Sequence, residues 1–578
     1  MSRSMPAFET ILWNGKVLIC MKRIIEAALQ DRPCDLVLKN ARIVNVFTDQ
    51  ILEGDIGICG GRIAGIGSME GKEETDLQGR FVLPGFIDAH LHIESSMVTP
   101  QALSPVLLSH GVATAVCDPH EIANACGLPG IRFMLDSAGL SRMDYRFTLP
   151  SSVPSCDFEV NGAGTLSARD MEPLLAHPRV AGLAEVMRIP DVLSARPEMM
   201  EKLAVFQSAG LVIDGHAPAL SGHHLQAYKA AGIENDHEAM TAEEAIERLQ
   251  NGFTLFIREG SGARNLEPLL GGLLNAHMPL TRCCFCTDDK HIEDILQEGT
   301  IDWCLRKAVS LGCPPVEAVK MATLNPAVHY HLKNKGAIAP GYEADLVVVD
   351  DLKDFRIHAV YRTGQPVTEP AAGPAVTGQL EDTVHLPAFT ARDLEQALRK
   401  DQVIGLVDHE LYTLNLPASS LTADDLASCS YVCAMERYGK TGEYACGLLK
   451  GFNLKGGALA ASYGHDSHNI IAAGDSFEDL ALAIHKLEEI HGGYVLVREG
   501  RIAATLPLDI GGVMSREDAQ TVADAALRMK KLARDMGVLE GVDPFATLSF
   551  LSLPVIPEIR ITPQGLYDVK KRRFLDRD

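Results

Sequence analysis

Histidine and carboxylate residues recur along the middle of the sequence, and the first of them form a compact motif. His90 and His92 stand two positions apart behind Asp88, at the end of the apolar run GFIDAHLH. Side chains at positions i and i+2 of a β-strand lie on the same face, so both imidazoles can bind one metal ion. Two histidines at this spacing occur at least as often by chance on a solvent-exposed strand as they do in a metal site. The metal-binding interpretation therefore depends on further ligands.

Further residues of metal-binding types end other apolar runs in the same way. They are Glu185, His216, His237 and Asp288. Four histidines and two carboxylates suit a binuclear site with a bridging carboxylate, which generates hydroxide near neutral pH. Asp288 could carry a proton from that hydroxide to a leaving group. The sequence lacks a P-loop, a dinucleotide-binding fingerprint and a serine-hydrolase elbow, so the pattern predicts a metal-dependent hydrolase.

The apolar runs that carry these residues predict a barrel. Eight short runs alternate with stretches of helical periodicity over about 250 residues, which is the size of a (β/α)8 TIM-type barrel with its active site at the carboxyl ends of the strands. The runs are 85–92, 111–121, 145–155, 180–187, 209–218, 231–238, 252–260 and 281–289. We therefore expect an α/β fold in which residues 83–335 form the barrel.

Other segments lie on both sides of the predicted barrel. Residues 36–82 and 336–368 have alternating strands and turns, and we expect them to pair into one small discontinuous β-sandwich domain. The Pro- and Gly-rich segment 369–382 predicts a linker. Residues 383–578 are expected to form an additional α+β C-terminal domain, and residues 1–35 an N-terminal extension.

The composition limits the classes of partner. The 578 residues carry a formal net charge of −23, which repels phosphate backbones and anionic membrane surfaces, and no apolar run is long enough to span a bilayer. We therefore expect no nucleic-acid polymer and no membrane as partner. The cysteines form no CxxC pair, and Cys117, Cys283, Cys284 and Cys286 fall in apolar runs, as expected of buried free thiols in the cytoplasm.

The order of the motifs resembles that of the amidohydrolase superfamily and, within it, the bacterial-type adenine deaminases. The motifs are PGFIDAHLHIESS, DPHEIAN, GLAEVM, DGHAP, DHE and CTDD, followed by GFNLKGGALA, YGHDSHNI and LPLDIGGVMS. Glu185 in GLAEVM is informative, because many binuclear amidohydrolases have a carbamylated lysine at the corresponding place. The resemblance extends from about Leu36 to the end of the chain.

The resemblance implies a ligand set and a reaction. The implied ligands are His90 and His92 for one ion, Glu185 as the bridge, His216 and His237 for the second ion, and Asp288 against the hydroxide, with Asp289 as the alternative to Asp288. The two divalent ions would be Mn²⁺ or Fe²⁺, and Zn²⁺ is also compatible. The implied reaction is hydrolytic attack on C6 of adenine, which gives hypoxanthine and ammonia in purine salvage or catabolism.

The proton donor to the purine ring and the substrate contacts stay open. Besides Asp288, the catalytic candidates are Glu121 and Glu238, and the substrate-binding candidates are His120, Glu121, Arg258 and Glu259. For His120, Glu121 and Glu238, a role as a hydrogen-bond partner that orients a ligand is the alternative. For Arg258 and Glu259, the alternative is a structural ion pair at the end of a strand. The cluster of His465, Asp466 and His468 could bind a further metal, close over the substrate or only satisfy a turn.

Two other functions compete with adenine deamination. One is a binuclear amidohydrolase that acts on another aminopurine or a cyclic amide, and the other is a non-catalytic barrel that serves as a scaffold. The metal content would separate the scaffold from the enzymes. For the enzyme we expect adenine as a small-molecule substrate and a homo-oligomer, a dimer, as the assembly.

Overall fold

The structure of the chain is a computed structural model that describes residues 21–368, 380–407 and 412–575. The first twenty residues of the predicted N-terminal extension and most of the predicted linker 369–382 lie outside the described residues. Within the described ranges, no helix combines the length and the apolar character that crossing a membrane requires.

Strands and helices alternate through the first two thirds of the chain. The strands of this part are β1 (Cys34–Asn45), β2 (Gln50–Cys59), β3 (Arg62–Gly67), β4 (Gly71–Asp76), β5 (Phe81–Pro84), β6 (Phe86–Leu91), β7 (Val112–Cys117), β8 (Asp144–Leu149), β9 (Val180–Val186), β10 (Val212–Gly215), β11 (Asn235–Asp236), β12 (Thr254–Arg258), β13 (Cys283–Cys286), β14 (Leu346–Val349), β15 (Ile357–Arg362) and β16 (Gln365–Pro366). The helices are α1 (21–28), α2 (Pro100–Ser109), α3 (His120–Gly139), α4 (Ala168–Met171), α5 (Ile189–Leu193), α6 (Pro197–Ser208), α7 (Gly222–Ala230), α8 (Ala242–Gln250), α9 (Leu266–Asn275), α10 (Ile292–Glu298), α11 (Ile301–Ser310), α12 (Pro315–Met321) and α13 (Leu324–His329).

The last third of the chain is richer in strands. Its strands are β17 (Leu398–Leu406), β18 (Thr413–Pro417), β19 (Ser430–Met435), β20 (Tyr444–Lys450), β21 (Gly457–Ala461), β22 (Ile470–Gly474), β23 (Gly493–Arg498), β24 (Arg501–Pro507), β25 (Ile559–Thr562), β26 (Gly565–Asp568) and β27 (Arg573–Phe574). Its helices are α14 (Ala391–Gln396), α15 (Ala423–Ser428), α16 (Phe477–Glu489), α17 (Ala519–Asp535) and α18 (Pro544–Leu551).

The eight strands β6 to β13 fall within the eight predicted runs, except that β8 begins one residue before its run, and they form an α/β TIM-like domain. They lie in two parallel sheets, ordered β10-β9-β8-β7-β6 and β11-β12-β13, and almost every residue in them is buried, as expected where helices cover a parallel sheet. Backbone hydrogen bonds link the two sheets at both ends. The Glu234 amide donates to the Ile213 carbonyl and the Asp288 amide to the His90 carbonyl, each at 2.9 Å.

Strands from both sides of the TIM-like domain share one sheet. β5 pairs antiparallel with β14, with Leu83 opposite Val347, and the sheet continues to β16 on one side and β3 on the other. Gly60 and Gly61, with φ values of 60° and 77°, form the turn between β2 and β3, a backbone conformation that glycine adopts without strain. These strands belong to a single sheet, and the two-layered sandwich stays a prediction.

The C-terminal part contains a mainly antiparallel sheet of eight strands, ordered β18-β17-β20-β19-β22-β21-β23-β24. Helix α16 packs against it through Leu480, Ile484 and Leu487, whose spacing of four and three residues places them on one helical face. The boundaries predicted for this domain stay predictions.

The cysteines differ in part from expectation. Cys117, Cys283, Cys284 and Cys286 are buried free thiols, as predicted. In contrast, Cys433 and Cys446 form a disulfide. These two residues are directly opposite each other on the antiparallel strands β19 and β20, a register that their spacing in the sequence does not reveal.

Candidate active site

The side chains predicted to bind metal converge at the carboxyl ends of the parallel strands. His90 and Glu185 lie on β6 and β9, and the others follow the ends of strands: His92 after β6, His216 after β10, His237 after β11 and Asp288 after β13. All are buried except His216, which is partly buried. The carboxyl ends of parallel strands meet at one edge, which is why residues nearly 200 positions apart become neighbours.

His90 and His92 face each other inside this cluster. Their Nε2 atoms are 3.1 Å apart, and Asp288 Oδ1 lies 3.1 Å from His92 Nε2. His92 Nδ1 is 3.1 Å from the main-chain oxygen of Asp118, to which it can donate. That bond leaves the Nε2 lone pair of His92 directed into the cluster, the orientation that a metal ligand needs.

Glu185 contacts histidines from both predicted metal positions. Its Oε1 lies 3.4 Å from His92 Nε2, and its Oε2 lies 3.2 Å from His237 Nε2 and 2.7 Å from His216 Nδ1. Burial would raise the pKa of this carboxyl, but the contacts with His216 and His237 hold it well below its ordinary value. An ionised carboxylate between two groups of imidazoles suits a bridging ligand.

Asp288, rather than its neighbour Asp289, extends into the cluster. Although burial opposes ionisation, the contacts with His90 and His92 lower the pKa of Asp288, and Arg258 Nη1 donates to its Oδ2 at 3.0 Å. Asp289 instead accepts a hydrogen bond from Ser95. The backbone of Asp288 is left-handed, with φ of 56°, a conformation that aspartate tolerates better than most residues.

The donor set fits divalent metal ions. Buried groups of three or four ligand atoms lie within 4.8 Å of one another in several overlapping combinations, among them His90 with His92 and Asp288, and His90 with Glu185 and His237. The Nε2 atoms of His90 and His92, 3.1 Å apart, are close enough to each other to bind one cation. Mixed imidazole and carboxylate ligands suit Mn²⁺, Fe²⁺ or Zn²⁺.

The end of β7 contributes a further group of residues. His120 Nδ1 is 2.9 Å from Asp118 Oδ2 and 3.4 Å from Glu185 Oε1, which places the predicted substrate-binding residue His120 beside the cluster. Asp118 was not among the predicted site residues. It ends an apolar run just as the other candidates do, so the same signal would have identified it.

Glu121 is held between two histidines from the C-terminal part of the chain. Its carboxylate contacts His465 Nδ1 through one oxygen and His468 Nε2 through the other. Burial would raise the pKa of Glu121, but His465, His468 and His120 hold it well below its ordinary value. Glu121 is therefore ionised and can accept a proton, and the motif around His465 belongs to the same site.

The residues at the end of β12 point in two directions. Arg258 donates to Glu238 Oε2 at 3.1 Å as well as to Asp288, and Glu238 Oε1 lies 3.3 Å from His237 Nε2. Glu259, predicted to bind substrate, is not brought to the cluster. Its carboxylate accepts from Lys307 at 2.7 Å and from Trp303. Arg258, the last residue of β12, therefore contacts the cluster, whereas Glu259, which follows the strand, contacts α11.

A buried ion pair joins the two loops that present His216 and His237. Arg248 Nε donates to Asp236 Oδ2 at 2.8 Å, and Arg248 Nη2 donates to the Ala217 carbonyl at 2.7 Å. The Ala217 amide in turn donates to Asp236 Oδ1 at 2.8 Å. Because Ala217 follows one histidine and Asp236 precedes the other, Arg248 fixes their relative positions without contacting either.

A TIM-like α/β domain with this His and carboxylate cluster at its strand ends defines the class of metal-dependent amidohydrolases. Residues 81–367 match the amidohydrolase family, and residues 408–573 match the adenine deaminase C-terminal domain. The chain is 43% identical over 563 residues to an adenine deaminase of Desulfitobacterium hafniense (strain Y51), which covers 96% of this chain and 98% of that protein. It is 42% identical to adenine deaminase 2 of Carboxydothermus hydrogenoformans and 41% identical to an adenine deaminase of Clostridium acetobutylicum, with coverage of 95% or more of each chain. The chain belongs to the adenine deaminase family.

Proposed function

We propose that this protein hydrolyses adenine to hypoxanthine and ammonia. The observation that carries the proposal is the buried cluster in which Glu185 contacts histidines from three strand ends, with Asp288 beside it. The near full-length similarity to proteins named adenine deaminase supports the choice of substrate.

Two divalent metal ions, Mn²⁺ or Fe²⁺, are part of the proposal, and Zn²⁺ is compatible with the same ligands. The proposed ligands are His90 and His92 for one ion, His216 and His237 for the other, Glu185 between them and Asp288 beside them. When bound, the ions supply a water of lowered pKa and a Lewis acid for the electrophile.

The protein's own residues would handle the protons of the reaction. The oxygen of one water adds to C6 of adenine, and the bond from C6 to the amino nitrogen breaks. Ionised Asp288 accepts one proton from the water and returns it to the amino group, which leaves as ammonia. The other proton of the water ends on the ring nitrogen N1 of hypoxanthine. Glu121 and Glu238 are both candidates to carry it, and because their contacts hold both ionised, each must first take the proton from another group.

The finer architecture is part of the same proposal. We infer that the two parallel sheets form one closed (β/α)8 barrel over residues 83–335, supported by the hydrogen bond between the Asp288 amide and the His90 carbonyl. Residues 36–82 with 336–368 would form the small β-sandwich domain, and residues 383–578 a C-terminal α+β domain. We also propose that the protein acts as a homo-oligomer, a dimer, in the cytoplasm.

The proposed function is tested by measuring ammonia release from adenine by purified protein loaded with Mn²⁺ or Fe²⁺. Adenosine, cytosine and guanine serve as parallel substrates, and metal content is measured on the same sample. We expect about two metals per chain and turnover of adenine alone. Two metals with no turnover of adenine would favour an amidohydrolase of another aminopurine or cyclic amide, and absence of metal would favour a non-catalytic scaffold.

A further inference from the structure

A loop of the C-terminal part of the chain contacts residues of the candidate active site. This C-terminal site loop, residues 463–468, lies far from the barrel in sequence, yet His465 and His468 both contact Glu121. Between these histidines stands Asp466, which is 2% exposed. The metal ligands and the proton transfer proposed above do not use this carboxylate.

Asp466 has an acceptor atom without a partner. Its Oδ1 lies 3.9 Å from both His120 Nε2 and His465 Nδ1, which is too long for hydrogen bonds. Its Oδ2 is buried and has no hydrogen-bond partner among the residues that the structure describes. Because a buried carboxylate oxygen without a donor is costly, this atom indicates a ligand that brings an N–H or O–H group.

The loop that presents Asp466 is held from several sides. The His465 amide donates to the Ser549 carbonyl at 3.0 Å, and the Ser467 carbonyl accepts from the Tyr438 hydroxyl at 2.7 Å. The His465 ring also stacks on Phe550 with ring centroids 4.4 Å apart. Asp466 therefore stands between two residues that hydrogen bonds anchor to other segments of the C-terminal part.

Asp466 is separated from Glu185 of the metal-binding cluster by the imidazole of His120. The Nδ1 atom of this ring lies 3.4 Å from Glu185 Oε1, and its Nε2 atom lies 3.9 Å from Asp466 Oδ1. One end of the substrate must place its reacting carbon at Glu185 and Asp288. A group one imidazole ring away can contact the opposite end of the same substrate.

We propose that Asp466 accepts a hydrogen bond from the imidazole N–H of the purine and thereby selects the free base over N9-substituted purines. The inference rests on the proposed function. Adenine has two kinds of N–H donor, the amino group at the reacting carbon and the N–H of the imidazole ring. The amino group must lie at Asp288, so the ring N–H is the donor available to a carboxylate that can only accept. A substituent on N9 removes this donor and adds bulk where Asp466 stands.

The test compares Asp466→Asn and Asp466→Ala with the wild-type enzyme, each loaded with metal. For Asp466→Asn we expect an unchanged metal content and kcat/KM on adenine about 10- to 100-fold lower, mostly through KM, because a hydrogen bond to a charged acceptor is lost. Direct binding of hypoxanthine, measured by calorimetry, should weaken by a similar factor. The preference for adenine over 9-methyladenine should fall in both variants, most in Asp466→Ala, which makes room for the methyl group.

Asp518→Asn is the matched control, because it makes the same substitution in the C-terminal part at a helix N-cap, where asparagine caps as well as aspartate. Wild-type kcat/KM and an unchanged preference against 9-methyladenine in Asp466→Asn would overturn the inference. Loss of metal in that variant would also overturn it, since Asp466 would then support the metal site. If the wild type releases no ammonia from adenine, the proposed function fails, and the comparison of hypoxanthine binding between the wild type and Asp466→Asn still decides the role of Asp466.

Discussion

The buried pair of Arg248 and Asp236 offers a strong test of how the site is assembled, because neither residue contacts a reacting group. Both side chains are 0% exposed, so solvent does not screen the pair. Arg248→Met keeps much of the apolar volume but leaves Asp236 charged and unpaired in the interior. Removing one partner of a buried ion pair costs about 3–5 kcal/mol, which lowers the equilibrium constant for folding by roughly two to nearly four powers of ten.

The same substitution should loosen the metal site. Without the guanidinium, the Ala217 carbonyl loses its donor, and the loops that carry His216 and His237 are no longer joined through Arg248. Loss of a partner that orients metal ligands typically costs about 10- to 100-fold in metal affinity. Urea unfolding gives the change in the free energy of unfolding, and metal content after dialysis against graded chelator gives the change in affinity.

Two other variants make this test specific. Arg248→Lys keeps the charge but not the fork of donors, so it should fall between the wild type and Arg248→Met on both measurements. Arg169→Met removes an arginine whose side chain is 86% exposed and should change stability by less than about 0.5 kcal/mol. If Arg248→Met kept the stability and metal content of the Arg169→Met control, the positioning role would be refuted.

Three further predictions concern the cluster and the contact between the TIM-like domain and the C-terminal part. Asp288→Asn should keep most of the metal and remove nearly all turnover, by about 100-fold or more in kcat, because an amide cannot accept the proton. Glu185→Gln should lower the metal content, because a neutral amide is a poor bridge between two cations. Lys530 bonds Glu293 at 2.7 Å and Asp543 at 2.6 Å, so Lys530→Met should cost about 3 kcal/mol at pH 7. Burial would raise the pKa of Asp543, but Lys530 lowers it below its ordinary value in the folded protein. The stability that this ion pair contributes is therefore present above the unfolded-state pKa of about 3.9, and it is lost as the pH falls from there through the lower pKa of the folded state. Urea unfolding from pH 7 to pH 2 should therefore show the wild type and the Lys530→Met variant converging in acid.

Each of these expectations has a clear contrary result. Normal kcat in Asp288→Asn would show that another group carries the proton, and two fully bound metals in Glu185→Gln would show that Glu185 does not bridge. For Lys530, the exposed neighbour Lys531 on the same helix supplies the control, and Lys531→Met should leave stability unchanged. A constant difference between the wild type and Lys530→Met across the pH range would contradict the ion-pair explanation.

The sequence determined the class of this protein because its signals are local. Apolar runs of strand length, five of which end in predicted metal ligands, predict parallel strands with a site at their carboxyl ends. The α/β TIM-like domain and the membership in the adenine deaminase family are confirmed. Glu259 directly follows β12, and the structure shows that it pairs with Lys307 away from the cluster.

Only the tertiary structure decided which distant segments meet. The choice of Asp288 over Asp289 depends on a left-handed backbone at the end of β13, which follows from the bonds on either side of it. The position of Glu121 between His465 and His468, and with it the place of Asp466 in the site, depends on how the C-terminal part packs against the TIM-like domain. The periodicity of a sequence indicates which face of its own helix or strand a side chain occupies. Contacts between residues more than 300 positions apart arise instead from the packing of whole elements against one another, and no local pattern encodes that packing.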